Sequence, residues 1–579
     1  MSITNCIYTY YAFIIFNTKH HMKVKAIFAS LLFVAMTQTA EAQNLAWAKR
    51  IGGAMYDEAR SITVDAVGNV YVIGYFAGTV DFDPSAAVVS FSTTGGDDIF
   101  IAKFDASGNF LWAKQLGGTG YDYGSGIVTD ASGNIHAICD FQGTVDFDPG
   151  AGTANLSSSG DHDIAIIKLD ANGNFIWVKQ LGGAGYDRGY SIALDAVGNV
   201  YGAGHFASTC DFDPGTNSYN LTALGNTDAF IVKLDASGNF LWAKHLGGTN
   251  TEQVVSIACD TSANIYATGG FKGTVDFDPG SGTYNLTTSG FQDVFAAKFD
   301  AAGNFIWAKQ FVGTNNNFVE SIKTSKNGHV YVAGSFTGIA DFDPGIDTNN
   351  LTSNGSADIA IVKLDAAGNF IWARHMGGPD YDAAISIACD AYDNVYSVGM
   401  FNGTADFDPG AAIFNYTSLG AHDIFISKLD ASGNFVWAVQ LGGDKNDIGG
   451  SITTDNLGNI YTTGYFASTV DFDPQANMLN LTASGFSDIF IHKMSPQDLG
   501  MIASASNKAF TVFPNPTKGI FTIRHQFDED IPFVICDITG KVLTRGLLTS
   551  KETSIDLSNL QQGIYLVSIE QQIISITKE

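Results

Sequence analysis

The chain reads as an all-β protein: a seven-bladed β-propeller followed by a small β-sandwich. Three observations lead there. Trp47, Trp112, Trp177, Trp242, Trp307, Trp372 and Trp437 follow one another at intervals of 65 residues. The tetrapeptide Asp-Phe-Asp-Pro keeps the same step, starting at Asp81, Asp146, Asp211, Asp276, Asp341, Asp406 and Asp471. Self-similarity at one period marks a repeat architecture. Within each copy, two tight turns rich in Asp, Gly and Asn and two longer connections separate four short apolar segments, and four antiparallel strands per repeat make a propeller blade. A β-solenoid is the competing architecture, but its coils run shorter and usually lack two hairpin turns per repeat.

Taken in order, the N-terminal region has the layout of an export signal. Lys23 and Lys25 form a basic stretch, Ala26 to Met36 an apolar run, and Ala40-Glu41-Ala42 a small-x-small cleavage pattern. Met22 is the expected start and Ala42 the expected last residue removed. The apolar run is too short to span a bilayer comfortably, and nothing later resembles a transmembrane segment. The propeller is expected over 43–494. In the unit 61–125, Ser61 to Val64, Val70 to Phe76, Ile99 to Phe104 and Phe110 to Leu116 have strand composition. The turns Asp65-Ala66-Val67-Gly68-Asn69 and Asp105-Ala106-Ser107-Gly108-Asn109 use Gly for positive φ and Asp or Asn for local side-chain bonds. The first strand-like segment, Leu45 to Lys49, matches the fourth strand of a unit, and the last, Ile489 to Met494, matches the third. That offset lets the N-terminal strand complete the final blade. A linker is expected over 495–508. In 509–579, alternating apolar residues broken by Gly, Pro and Asn predict a small β-sandwich.

Composition narrows the partners. Hydrophobic residues make up 45% of the chain and charged residues only 15%, so Gly, Ser, Thr and Asn must build much of the surface. Lys+Arg of 30 against Asp+Glu of 58 gives a net charge of −28, which disfavours nucleic acid and anionic membrane surfaces and suits cations or neutral polymers. Cys139, Cys210, Cys259 and Cys389 are sporadic substitutions at small or apolar repeat positions, and Cys6 precedes the expected mature start. No disulfide framework follows.

The runs Asp105-Ala106-Ser107-Gly108-Asn109-Phe110-Leu111-Trp112-Ala113-Lys114 and Gly68-Asn69-Val70-Tyr71-Val72, recurring in register, resemble the bacterial seven-bladed β-propeller repeat family known as SBBP, and more distantly NHL-type repeats. The resemblance spans about 44–494 and implies a fold and an extracellular setting, since that family shares no catalytic activity. The tail segments Phe510 to Phe521, Asp537 to Leu543 and Leu560 to Val567 resemble the type A C-terminal sorting domain of the type IX secretion system of Bacteroidota. This implies the secretion machinery and a sortase as partners, passage across the outer membrane, removal of the tail, and release or attachment to a surface glycolipid.

Candidate chemistry lies on the face of the two long connections. The connection between blades carries Asp57, Asp122, Asp187, Glu252, Asn317, Asp382 and Asp447. These either ring one mouth of the central channel, favouring a cation or a hydroxyl-rich polymer, or cap turns and face water. Asp-Phe-Asp-Pro places two carboxylates on one side and Phe82 on the other, a candidate calcium arrangement or ordinary turn chemistry. Asp98 and its equivalents recur with Lys103 and its equivalents, which suggests a lysine–aspartate pair. The tryptophans are expected to pack between blades rather than to stack sugars. The fifth unit diverges most, with Val312, Asn317, Ser325 and His329 at otherwise regular positions, and is where a single asymmetric site would be sought. No hydrolase or metalloprotease signature appears. No residue is therefore assigned as catalytic, cofactor-binding or metal-ligating, and calcium is the one ion to test. The expected function is a non-catalytic binding or structural scaffold, outside the cell, with a glycan or protein ligand. The alternative is a polysaccharide lyase or hydrolase with its site on the long-connection face.

Overall fold

The computed structural model describes residues 43–315, 317–475, 478–496, 510–525, 531–537, 542–569 and 572–578. The expected export signal (1–42) and all of the expected linker but Ser495 and Pro496 lie outside them. Every regular element among the described residues is a β-strand, and no helix there is long and apolar enough to cross a membrane.

Seven four-stranded antiparallel sheets repeat one plan. In the first, Asp57–Val64, Val70–Phe76, Asp98–Phe104 and Phe110–Gly118 pair in sequence order. The next five repeat it. In the seventh, Ile448–Thr454, Ile460–Phe466 and Asp488–Pro496 are joined by Gln43–Gly53, which sets Leu45, Trp47 and Ile51 opposite Met494, Lys493 and Ile489. The innermost strands pack against one another in succession, the seventh against the first. The ring is closed by the chain's own N-terminal strand.

Middle strands such as Asp98–Phe104 are buried along their whole length because a blade covers each face. The core therefore lies between blades. Ile51, Ile489 and Ile491 of the seventh blade pack with Ile62, Val72 and Phe100 of the first. Trp372 of the fifth packs with Val395, Phe425 and Leu429 of the sixth. The tryptophan indoles also reach across. Trp47, Trp242, Trp307 and Trp372 donate Nε1–H to carbonyls of Ala106, Ala301, Ala366 and Ala431 in the following blade's outer turn, at 3.2–3.3 Å. Gly108 of that turn has φ 78°, and a Cβ there would meet the Trp47 ring at 2.7 Å. Glycine is thus required twice over, for the turn and for the tryptophan beneath it.

The Asp-Phe-Asp-Pro connection is a small hairpin, Thr79–Asp81 against Ser90–Ser92. Its first strand also pairs with Gly52 and Gly53 of the preceding blade, so each long connection stitches two blades by main-chain hydrogen bonds.

The C-terminal region has two sheets of its own. Thr511–Phe513, Ile520–Arg524 and Glu552–Asp556 form one; Ile531–Asp537, Val542–Leu548, Gly563–Ile569 and Gln572–Lys578 form the other. Phe521, Ile523, Ile535, Leu548 and Val567 share its core.

Candidate functional site

The acidic residues of the blade-to-blade connection occupy neither of the two expected places. Asp57, Asp122, Asp187, Glu252, Asn317, Asp382 and Asp447 are all buried, and none lines the channel. Asp187 shows why. Its Oδ2 accepts the Gly183 N–H at 2.8 Å and its Oδ1 the Ala207 N–H at 2.9 Å, which clamps the crossover to the start of the next hairpin. Asp122, Asp382 and Asp447 make the same two bonds. Burial pushes Asp57, Asp187, Asp382 and Asp447 up to about 7 against these bonds. They are structural clamps. In the fifth blade Asn317 takes the place, and the Gly313 N–H turns instead to Asp293 Oδ1 at 3.1 Å.

The other repeated acids are also committed locally. Asp98, Asp163, Asp293 and Asp423 accept from Gln115, Gln180, Gln310 and Gln440 at 2.5–2.7 Å; Asp228, Asp358 and Asp488 take His245, His375 and Arg50. The expected lysine–aspartate pair does not form at this position. Lys103 Nζ donates to the Ala171 carbonyl of the next blade at 2.8 Å and lies 4.8 Å over the Tyr71 ring, because its strand position points it across the blade interface. In Asp-Phe-Asp-Pro, Asp81 Oδ1 accepts the N–H of Asp83 and of Val89 at 3.2 and 2.9 Å. Asp83 Oδ1 accepts from Ser85 at 2.9 Å, and Phe82 is buried. Both carboxylates serve their own turn. No group of three or more His, Cys, Asp or Glu among the described residues is arranged to hold a metal. Cys139, Cys210, Cys259 and Cys389 carry free thiols. In the fifth blade, His329 Nδ1 lies 2.6 Å from Asp393 Oδ2 of the sixth, at the end of the tight turns, away from Asn317.

The asymmetric chemistry sits elsewhere, in a central channel of about 630 Å³ lined by the innermost strands. Each of these strands carries a β-bulge, between Ala59 and Ser61 in the first and at the matching place in all seven. A bulge frees one residue from pairing and re-aims it. The freed residues are Arg60, Ser125, Tyr190, Val255, Glu320, Ile385 and Gly450, a different one in every blade. Two residues earlier stand Glu58, Tyr123, Arg188, Gln253, Phe318, Ala383 and Ile448, again all different. Where the fold demands one residue type the copies agree; on the channel wall they diverge.

Over the first three blades these positions converge at the long-connection mouth. Arg60 Nη2 lies 3.1 Å from Glu58 Oε2 and 3.3 Å from the Tyr75 hydroxyl. Arg188 Nε donates to the buried Asp140 Oδ1 at 3.2 Å, and its guanidinium carbon lies 5.7 and 5.2 Å from the Tyr123 and Tyr190 rings. Tyr75 and Tyr123 meet edge to face at 4.9 Å. His205, beside Tyr190, is pushed down to about 4 by burial first and by Arg188 second, so it is neutral near pH 7. This crescent offers fixed cations, neutral hydrogen-bonding groups and aromatic faces to whatever enters the channel. Sequence reading missed it because the search followed what repeats. The available signal was the opposite: the registers of Glu58 and Arg60, where seven otherwise matched copies never agree.

Family models match the chain in two regions. A beta-propeller repeat model, SBBP, matches residues 46–75, 111–138, 176–205 and 436–465, each span running from an outer strand through the crossover into the next blade. A secretion system C-terminal sorting domain model matches 511–579. The chain carries SBBP beta-propeller repeats and a secretion system C-terminal sorting domain. The tail directs this propeller to the secretion machinery and so to the cell surface or beyond. Among curated proteins, the uncharacterized WD repeat-containing protein L264 of Acanthamoeba polyphaga mimivirus is 26% identical over 439 residues, covering 62% of this chain and 31% of its own. The regulatory protein FlaEY of Caulobacter vibrioides is 26% identical over 244 residues, covering 40% and 25%. The chain thus matches only about a third and a quarter of the length of these relatives. Sqt1 of Chaetomium thermophilum is a structural neighbour at TM-score 0.37 and 9% identity, covering 78% of this chain and all of Sqt1.

Proposed function

We propose that the protein is a non-catalytic, extracellular binding scaffold that holds a ligand in the long-connection mouth of its channel. One observation carries this reading: the positions that differ in every blade converge on a single cavity, while every repeated acid is committed to a turn, a crossover or a blade partner. Ligand pockets of a few hundred Å³ with a small set of oriented polar groups are the usual form of a binding site. In this reading the export signal over 1–42 takes the chain to the periplasm, the tail takes it across the outer membrane, and a sortase removes the tail from the propeller at 43–494. A glycan chain fits a channel of about 630 Å³ better than a folded protein does.

The test is a glycan and polysaccharide binding screen of the full chain with product release followed in parallel. A Ser125→Trp variant blocks the channel from a half-buried wall position. Binding that this variant abolishes, without turnover, is the expected outcome. Binding indifferent to the plug would refute the channel as the site, and release of reducing ends or unsaturated products would establish the lyase or hydrolase alternative.

A further inference from the structure

We infer that the channel mouth recognises a carboxylate-bearing saccharide, a uronic acid unit held between Arg60 and Arg188 with its ring against the neighbouring tyrosines. The inference rests on the binding reading above and specifies its ligand.

Charge is the first argument. The chain carries 30 Lys+Arg against 58 Asp+Glu and only six arginines. Yet the charged residues lining the channel are Arg60, Arg188 and Lys323 against Glu58 and Glu320, with Asp140 buried behind Arg188, so the acidic excess of the molecule is absent from this wall. Two of the six arginines face one mouth. Burial opposes the charge of Arg60, Glu58 and Tyr75 outweigh it and hold the guanidinium protonated, and Arg188 is near enough to act weakly against that. Both arginines are charged and near one another at this mouth, and a guanidinium fork is the side chain that matches a planar carboxylate.

Preorganisation is the second. Asp140 fixes the Nε edge of Arg188, and Tyr123 and Tyr190 flank its plane. Glu58 and Tyr75 fix Arg60. Each arginine is held before a ligand arrives, which lowers the ordering cost of binding. The third argument separates a sugar from a simple anion. Tyr123, Tyr190 and Tyr465 line the channel with rings as well as hydroxyls, and the Tyr75 hydroxyl meets Arg60. Flat faces with hydroxyls at their ends suit the C–H face and hydroxyl edge of a pyranose. An inorganic anion would use the arginines and leave the rings idle.

The experiment is calorimetric titration of the full chain with trigalacturonate, with maltotriose as the neutral trisaccharide of similar size. Trigalacturonate is expected to bind and maltotriose to bind at least about 10-fold more weakly, with the difference shrinking as salt is raised. Arg60→Gln, whose side chain is half exposed, is expected to weaken trigalacturonate about 10-fold or more while leaving the melting temperature in place; this is the size of one lost charge-assisted contact. Arg188→Met is expected to weaken trigalacturonate more strongly and, by leaving the buried Asp140 without its partner, to lower the melting temperature as well. Arg374→Met, which alters an arginine tied to the outer turn carbonyls of Gly433 and Ser432, is expected to leave affinity unchanged. Equal affinity for the two trisaccharides, lost together in Ser125→Trp, would overturn the carboxylate inference and leave the channel reading intact. Trigalacturonate binding that survives both Ser125→Trp and Arg60→Gln would overturn both. No trigalacturonate binding at all would overturn the inference, whatever other ligand the channel takes.

Discussion

At the scale of single residues, the blade junction explains why a glycine such as Gly118 or Gly313 precedes each crossover, with a second glycine before it everywhere except at Val312. A Cβ on Gly118 would collide with the Thr144 carbonyl oxygen and lie 3.1 Å from its carbon, because the next blade's hairpin pairs directly against this main chain. Gly143 is a useful contrast. Its φ of 75° is left-handed, but a Cβ there meets nothing within 4 Å. Gly143→Ala is expected to cost about 1–2 kcal/mol of backbone strain. Gly118→Ala should cost more, about 1–3 kcal/mol from overpacking plus the loosened hairpin pairing. Urea unfolding of the two variants checks the ranking. The clamp carboxylate gives a second residue-scale prediction. Asp187→Ala strips acceptors from two half-buried N–H groups, those of Gly183 and Ala207, at about 0.5–1.5 kcal/mol each. Equilibrium unfolding should show that loss, and an unchanged midpoint would mean that water replaces the carboxylate.

At the scale of the repeated element, two sets of carboxylates respond to pH in opposite senses. In the turns, burial is the largest single influence on Asp105, Asp170 and Asp235 and acts upward, but the bonds from their Asn and from backbone N–H groups together outweigh it and hold each low. A depressed folded pKa contributes stability above the unfolded value of 3.8 that is lost as pH falls through the folded one. The clamps behave inversely. Asp57, Asp187, Asp382 and Asp447 rise to about 7 through burial, so the folded state holds their protons more tightly than the unfolded chain. That contribution is complete below 3.8 and is lost as pH rises through about 7. The melting temperature should therefore peak between about pH 4 and 6 and fall toward pH 8. Asp187→Asn should flatten the alkaline limb, as Asn317 already does for the fifth blade; a curve that climbs from pH 5 to 8 would contradict this. The Asp-Phe-Asp-Pro hairpin, whose acids are consumed by backbone N–H groups, predicts a melting temperature unchanged by EDTA. A calcium site filled at a hundred times its Kd would instead add about 2.7 kcal/mol. Period, turns and strand order could be read from the chain because each rests on local chemistry repeated seven times. The clamps could not: an acid beside Gly-Gly in a polar connection looks solvated until the neighbouring hairpin buries it. The channel site escaped for a related reason, since Arg60 and Arg188 come together only when a bulge and ring closure bring the first and third blades to one mouth.

At the scale of the whole molecule, the ring depends on a contact between the two most distant parts of the propeller. Gln43–Gly53 supplies the outer strand of the seventh blade, and its Gly52 and Gly53 continue into pairing with the hairpin of the first. Inside, the Ser451 hydroxyl accepts the Ile62 N–H at 3.3 Å, the same seryl link that joins Ser256 to Ile322 and Ser321 to Ile387 between sequential blades. The closing junction is therefore built like the others, but its chain connection is replaced by strand pairing across more than four hundred positions. Removing residues 43–53 takes away Ile51, Ala48 and Trp47 from two interblade cores and bares the Asp488–Pro496 edge. Long-range pairing of this kind makes the intact ring unfold as one unit, whereas an open array of blades loses cooperativity from its ends. The truncated chain should unfold over a broader denaturant range with a lower m-value and should self-associate through the open strand edge, visible as dimers or larger species in analytical ultracentrifugation. A synthetic 43–53 peptide added in excess should sharpen the transition and restore the monomer. A truncated chain that stays monomeric with an unchanged transition would show that the seventh blade needs only three strands to close the ring.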